Sequence, residues 1–577
     1  MNKVATYRIY YLTSSLPSLP YSVCLMEKLH LLALLLPILL GLPPLYICDI
    51  LWLRPERIRK KLRKQGVRGP RPTLFYGNTQ EMKRIRQEAV SAQKQDTSNY
   101  ISTLFPHFLI WRETYGSVFL YSTGAVEILF VSDPGMVKDM SHCTSSELGK
   151  PIYIQKSRKP LFGDGILVSN GDIWAYQRKV IAPEFFMEKI KIMIELIVEA
   201  SVPPLEAWES MLDDAGGSRE IDVDGYLRNF SADVIARACF GSDFTTGEEI
   251  FYKLRQLQKA ISQQDTLVGL SAVWKVLPTK ANREIQKLEQ EVRLLILDAA
   301  KEHSRESSIS NNDDNGNNCI ETKHNGFLRS IVNSSRHCPA SYNGSAEDYI
   351  VDNCKNIYFA GHETAAVTTT WCLMLLATHP VWQDHARAEA LEVCRGCTKL
   401  DVDVLRRLKT ITMVIQETLR LYPPASLIVR EALTDFKLGA LDVPRGTIVQ
   451  TAIAMLHLNK DVWGQDAGEF RPDRFTNGAA AACEPSHMYL PFGHGPRICA
   501  GQNLAMVELK VVLVRLLSKF AFSPSPGVPA RPAVPANYRA WVRHASCRHK
   551  ASMISQCHLW RECTAPVDEN NDAATCL

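Results

Sequence analysis

The apolar positions of this chain fall into a few long runs separated by charged or turn-forming stretches. The first, Leu31 to Leu53, holds 23 mostly apolar residues. As a helix at ~1.5 Å per residue it reaches about 34 Å, enough to cross a bilayer. Pro37, Pro43, Pro44 and Asp49 interrupt it and predict a kinked or partly re-entrant anchor. Arg54, Arg57, Arg59, Lys60, Lys61, Arg63 and Lys64 follow, against a single Glu56, and this excess of positive charge puts the C-terminal side in the cytosol. No small-residue cleavage site precedes the basic run, so the segment reads as a retained anchor rather than a signal peptide. Residues 1–30 are then an N-terminal extension and 31–53 the anchor. Residues 54–75 form a basic hinge in which Gly66 to Pro72 (GVRGPRP) breaks the helix.

Beyond the hinge, SVFLY and VEILFVSDP, separated by Ser122 to Ala125, predict a β-hairpin. The stretch SELGKPIYIQKSRKPLFGDGILVSNGD reads as a long loop leading to Trp174. Residues 303–345 turn polar around SSISNNDDNGNN and read as a disordered loop. A long helical pattern then runs from Ala346 to Thr378, about 50 Å at ~1.5 Å per residue, and His379-Pro380 stops it. A further apolar helix starts near Leu504. After Pro524 proline and basic residues are dense and alternation is poor, so 76–525 is the expected globular domain and 526–577 a divergent tail.

Composition changes this picture little. The chain has 577 residues, 46% hydrophobic and 22% charged, with a net charge of +5, too mild a balance to argue for nucleic acid as a partner. The 16 cysteines are scattered. Cys394 and Cys397 form C-R-G-C, but no second pair with metal-ligand spacing accompanies them, so most cysteines read as reduced and structural in a cytosol-facing domain.

The chemistry concentrates in FGHGPRICAG, Phe492 to Gly501. Cys499 sits in a glycine-rich turn just before the apolar helix. Glycines let backbone pass close to a flat ligand, and orphan N–H groups at a helix start stabilise a thiolate. Arg497 adds a fixed charge suited to a carboxylate or propionate. These are the attributes of an axial thiolate ligand for haem iron. Trp174 and Arg178, four apart in WAYQRK, share a helical face, as a propionate-binding pair or a surface cation–π pair. In AGHETA (360–365), Gly361 allows close approach to a ligand. Glu363 beside Thr364 offers an acid–hydroxyl relay for protons, unless the Thr364 hydroxyl merely bonds the carbonyl of residue 360.

At every fixed position the cysteine turn resembles the cytochrome P-450 signature F-x-x-G-x-R-x-C-x-G, through Phe492, Gly495, Arg497, Cys499 and Gly501. The resemblance covers about residues 100–525, with the family's other landmarks in order. It implies a mostly α fold with small β-sheets, the cytochrome P-450 fold, as one haem-thiolate domain behind the anchor. It also implies haem b with iron on Cys499, and Phe492, Trp174, Arg178, Arg430 and Arg497 as cofactor contacts. Thr364 and Glu363 become the proton-delivering pair, although Ala365 departs from the family's Thr/Ser. Glu417 and Arg420 of ETLR, closed by Arg474 of PDRF, become a buried structural cluster. The implied activity is NADPH- and O2-dependent mono-oxygenation. No Gly-rich dinucleotide fingerprint follows a strand, so electrons come from a separate NADPH–cytochrome P-450 reductase, which Lys179, Lys189 and Lys191 could face. The location implied is the endoplasmic reticulum membrane, single-pass, with the domain in the cytosol.

Within the family the chain is similar to the gibberellin-oxidising plant subfamily. That likeness implies deactivation of the hormone by 16,17-epoxidation, with restraint of internode elongation. Lys150, Lys156, Arg158 and Lys159 in the loop before Trp174 could pair with a gibberellin carboxylate. The alternatives are mono-oxygenation of another terpenoid or lipid, a haem-thiolate isomerase or dehydratase, and a non-catalytic haem-binding membrane protein.

Overall fold

The computed structural model describes residue 46 and residues 48–92, 100–240, 244–263, 278–310, 326–396, 399–524, 539–544 and 553–554. The chain divides into two units, Met1–Glu56 and Arg57–Leu577. In the first, Asp49–Leu53 forms a π-helical turn and Asp49 pairs with Arg54 at 2.6 Å. The expected anchor at 31–53 lies largely outside the described residues, among which no helix is long and apolar enough to cross a membrane.

The predicted hairpin is present as β1 (Val118–Thr123) and β2 (Val126–Val131), antiparallel with Val118 opposite Val131. It is one edge of a five-stranded sheet. The sheet continues through two later strands and ends on β3 (Leu148–Gly149). The stretch expected as a long loop before Trp174 contains two short helices, α1 (Ile152–Ser157) and α2 (Lys159–Phe162). Its apolar Ile154, Leu161 and Phe162 are buried, which a loop reading based on its polar residues overlooks. Next comes α3 (Gly171–Ile181), carrying Trp174 and Arg178.

A second sheet begins with β4 (Ser218–Asp222), which leads into α4 (Val223–Ile235). The expected disordered loop at 303–345 needs correction at both ends. Helix α5 (Lys280–Ser310) runs into it, and α6 (Gly326–Ser335) lies inside it with Phe327, Leu328 and Ile331 buried. Three apolar residues at helical spacing anchor α6 although its surroundings are polar. Residues 311–325 lie outside the described residues.

Helix α7 (Ala346–Thr378) is the central element. A capping box starts it: Ser345 Oγ accepts from the Asp348 amide, and Asp348 Oδ2 accepts from the Ser345 amide at 2.9 Å. It is buried over much of its circumference, which explains its nearly continuous apolar sequence. Trp371 on this helix stacks on Tyr422 with ring centroids 3.7 Å apart. Helix α8 (Lys409–Leu421) carries the ETLR residues. Strands β5 (Leu427–Ala432) and β6 (Ile448–Ala452) complete the first sheet, with β6 parallel to β2 and antiparallel to β5.

Helix α9 (Gln502–Lys519) follows Gly501 and leads into β7 (Phe520–Pro524). The tail departs from the divergent reading. Residues Arg539–His544 form β8, antiparallel to β7 with Trp541 opposite Ser523 and to β4 with Ala540 opposite Ile221. Met553–Ile554 form β9 beside β4. Backbone pairing between distant strands orders a segment whose own alternation is weak.

Candidate active site

A cavity lies against α3, α7 and α9. One part of its wall is the cysteine turn. Gly493 and Gly495 adopt φ of 73° and 67°, a region where side chains are disfavoured. A Cβ on Gly495 would also meet the Ser141 carbonyl oxygen at 2.5 Å. The turn closes with the Cys499 amide donating to the Phe492 carbonyl at 2.9 Å. Cys499, Phe492, Ala500 and Gly501 all line the cavity, and the surface that Cys499 exposes lies there. Burial raises the thiol above its ordinary value, while the Gly501 amide and the Arg178 charge act to lower it.

Five groups that suit an anion gather at the same cavity: Lys150, Trp174, Arg178, Arg430 and Arg497. Arg497 lies over the Trp174 ring at 4.4 Å and donates from Nη2 to Ser169 O at 2.9 Å and Asn170 Oδ1 at 2.8 Å. Among the described residues its buried Nε has no partner. Burial pushes Arg497 down to about 9, with Arg430 adding to the shift, and pushes Arg430 down to about 10. Lys150 falls well below its ordinary value through burial and the Arg430 and Arg497 charges. Burial lowers Arg178 too, against the opposing effect of Cys499. Cations crowded in a poorly solvated space in this way call for an anionic partner. The thiol in the cavity wall, the crowded cations and the orphaned Arg497 Nε fit a haem, whose two propionates would meet those cations. Lys150 belongs to this group, although sequence reasoning placed it with the substrate loop. Its neighbours in sequence, Leu148 and Gly149, pair with β5, and that pairing brings it beside Arg430.

Of the other three loop cations, Arg158 is buried and Lys159 pairs with Asp164 at 3.7 Å. Neither they nor Lys156 line the cavity. Lys189, one of the lysines expected to face a reductase, is held by Glu184 at 2.6 Å.

Helix α7 lines the cavity with Ile357, Ala360, Gly361 and Thr364. A Cβ at Gly361 would overlap Ile235, so the glycine also sets how closely α4 packs. Thr364 Oγ1 donates to Ala360 O at 2.8 Å, the local bond left open above. Glu363 requires a correction. The next residue on a helix points about 100° away, and Glu363 is not part of the cavity wall. It is buried against α4 in an ion pair with Arg228, which Asp224 also binds at 2.7 Å. Burial alone would raise this carboxyl, but Arg228, with His362 and Arg255, outweighs burial and holds it at about 2. Arg228 and His362 line a separate cavity. Direct delivery of a proton from Glu363 would require its carboxylate to leave Arg228. Sequence spacing could not reveal Arg228, which comes from a different helix.

One carboxyl does line the cavity and was missed: Glu508, on α9. It follows the signature by two turns of helix and carries no motif of its own.

The ETLR cluster lies apart from the cavity. Arg420 donates from Nε and Nη2 to Glu417 at 2.6 and 2.7 Å, and from Nη1 to the His457 and Ala467 carbonyls. Arg474 Nε stands 3.5 Å from Glu417 Oε1. The Arg471 amide also donates to Glu417 at 2.8 Å, so two chain segments meet at one buried carboxylate, and Arg420 ties in a third through the His457 carbonyl.

The family profile described as cytochrome P-450 matches residues 102–545, beyond β7 and into the tail. Cytochrome P-450 714C3 of Oryza sativa subsp. japonica is 66% identical over 508 residues, 88% of this chain and 96% of its own. Cytochrome P-450 714A2 of Arabidopsis thaliana is 42% identical over 82% of this chain and 89% of its own. Within the subfamily, the likeness read from the sequence was to the rice Elongated Uppermost Internode protein. That protein, cytochrome P-450 714D1, is 43% identical over 84% of this chain and 88% of its own, so rice 714C3 is the more similar of the two. With the cysteine turn and its ring of cations in place, the chain belongs to the cytochrome P-450 family, in its plant 714 group, and is a haem-thiolate mono-oxygenase.

Proposed function

We propose that this mono-oxygenase oxidises a gibberellin at a haem whose iron is held by Cys499, with electrons from NADPH passed on by a separate cytochrome P-450 reductase. The observation that carries the substrate class is the cation count at the cavity. Lys150, Arg178, Arg430 and Arg497 supply four positive charges, more than the two propionates of one haem neutralise. The surplus suits a substrate with its own carboxylate. Of the four loop cations, Lys150 is the one at the cavity wall, and it is the residue we assign to that carboxylate.

When bound, haem supplies the iron centre at which O2 is activated. One oxygen atom enters the substrate and the other leaves as water, consuming NADPH and a proton. Trp174, Arg178, Arg430 and Arg497 hold the propionates, and Phe492 packs at the thiolate turn. Thr364, whose own proton is committed to Ala360 O, presents oxygen lone pairs to the cavity and can accept a proton for relay. Glu363 partners it only if it parts from Arg228. Glu417, Arg420 and Arg474 keep the region behind the cysteine turn in register. The likeness to the gibberellin-oxidising subfamily supports 16,17-epoxidation and growth restraint. The basic run from Arg54 to Lys64 supports an endoplasmic reticulum anchor with the domain in the cytosol.

The test is product mass. Membrane-expressed protein is incubated with plant reductase, NADPH and a panel of gibberellins. One added oxygen that requires NADPH supports the reading, and fragmentation places the oxygen. If no gibberellin gains oxygen while the reduced, CO-bound protein shows a thiolate-ligated haem, another carboxylated terpenoid is the substrate.

A further inference from the structure

Asn170 stands where a helix cap belongs, and its side chain is used elsewhere. It directly precedes α3 with an extended backbone, and an asparagine there ordinarily accepts a hydrogen bond from an amide of the first turn. No such bond forms. The side chain reaches two other elements instead. Its Oδ1 accepts from the Lys150 amide at 2.6 Å and from Arg497 Nη2 at 2.8 Å, and its Nδ2 donates to the Lys150 carbonyl at 2.7 Å. These partners fix which way the amide points. A flipped side chain would set its NH2 against two donors and its oxygen against a carbonyl.

The surroundings are shaped to this contact. A Cβ on Gly149 would meet Asn170 Oδ1 at 2.5 Å, so the glycine that ends β3 leaves the room the amide occupies. Ser169 offers its carbonyl to the same Arg497 Nη2, and Trp174, one turn along α3, lies against the same guanidinium. Lys150 is gripped by its backbone, whose carbonyl also accepts a longer bond from Gln155 at 3.4 Å. These bonds leave the Lys150 ammonium group and Arg497 Nε to an anion.

Like charges in a poorly solvated space push each other apart. A tie between their two segments serves best when it carries no charge, because a carboxylate there would take up the positive charge meant for the ligand. A neutral amide meets that requirement.

We propose that Asn170 is a positioning residue for the anion grip of the cavity: it couples Lys150, after β3, to Arg497 of the cysteine turn, so that the guanidinium meets a haem propionate in one orientation. Asn170 acts through Arg497 and touches no reacting atom. The inference rests on the haem reading of the cavity and is independent of which anion meets Lys150.

Full-length, haem-loaded protein tests it without substrate. Asn170→Ser keeps a residue that caps helices but is too short to bridge Lys150 and Arg497. In this variant the propionate bending band of the resonance Raman spectrum should move, and haem should pass to apomyoglobin roughly ten-fold faster. A band and a haem-loss rate both unchanged overturn the proposal, and a lowered Tm beside them would show that Asn170 serves the fold alone. Should Asn170→Ser fail to load haem, Asn170→Asp decides. Its carboxylate keeps an acceptor in place but competes with the propionate for Arg497, so the band should move while circular dichroism keeps its helical content. An unmoved band in Asn170→Asp overturns the proposal. The reduced, CO-bound spectrum of the wild type checks the haem reading separately, and none of these measurements needs a gibberellin.

Discussion

Arg228 on α4 clasps the Glu363 carboxylate of α7 outside the cavity wall, although Glu363 is the immediate neighbour of Thr364, which lines it. Two residues that a motif reads as one device are thereby given different environments.

That pairing makes stability depend on acid. The Glu363 carboxyl is held at about 2 in the fold, below its ordinary 4.5. A group whose folded value is depressed stabilises the fold above its unfolded value, and that contribution is lost as pH falls toward the folded one. Denaturation of the wild type should therefore ease as pH falls from about 4.5 to 2, and Glu363→Gln should flatten the profile in that window. At neutral pH, Arg228→Ala strands two buried carboxylates and should cost about 3–5 kcal/mol in chemical denaturation.

Replacing Cys499 tests the ligand without depending on substrate. Cys499→Ser should lose the thiolate signature of the reduced, CO-bound spectrum while circular dichroism keeps its helical content. Retention of that signature would show that another cysteine binds the iron.

The cation at the cavity wall makes a sharper prediction about substrate. A charge-assisted contact is worth about 1.5–3 kcal/mol, so Lys150→Met should weaken binding of a carboxylated gibberellin by roughly ten- to a hundred-fold. It should hardly alter binding of the corresponding methyl ester. Equal loss for both would assign Lys150 to the haem propionates instead. Substrate-induced change in the haem spectrum measures either outcome.

The buried triad of Glu417, Arg420 and Arg474 should be as costly to break as the Arg228–Glu363 pair. Glu417→Ala leaves Arg420, fully buried, without its carboxylate and should destabilise the domain by about 3–5 kcal/mol. Glu417→Asp, which shortens the reach but keeps the charge, should recover part of that loss. Equilibrium unfolding measures both.

The sequence alone determined whatever depends on neighbours along the chain. The β1–β2 hairpin, the span of α7 with its stop at His379-Pro380, and the cysteine turn from Phe492 to Gly501 were all legible there. Local geometry is set by the backbone preferences of a few consecutive residues, and spacing along the chain records them. Tertiary structure decided which groups meet across elements. The β3–β5 pairing brought Lys150 to Arg430, α4 brought Arg228 to Glu363, and Asn170 met both Lys150 and Arg497. It likewise placed β8, whose sequence alternates poorly, between β4 and β7. Charge state followed the same division. Identical side chains, Glu363 and Glu508, were driven toward opposite protonation states, one by a cation and the other by burial without one. Sequence can name a carboxyl, but burial and the partner brought by folding set its proton.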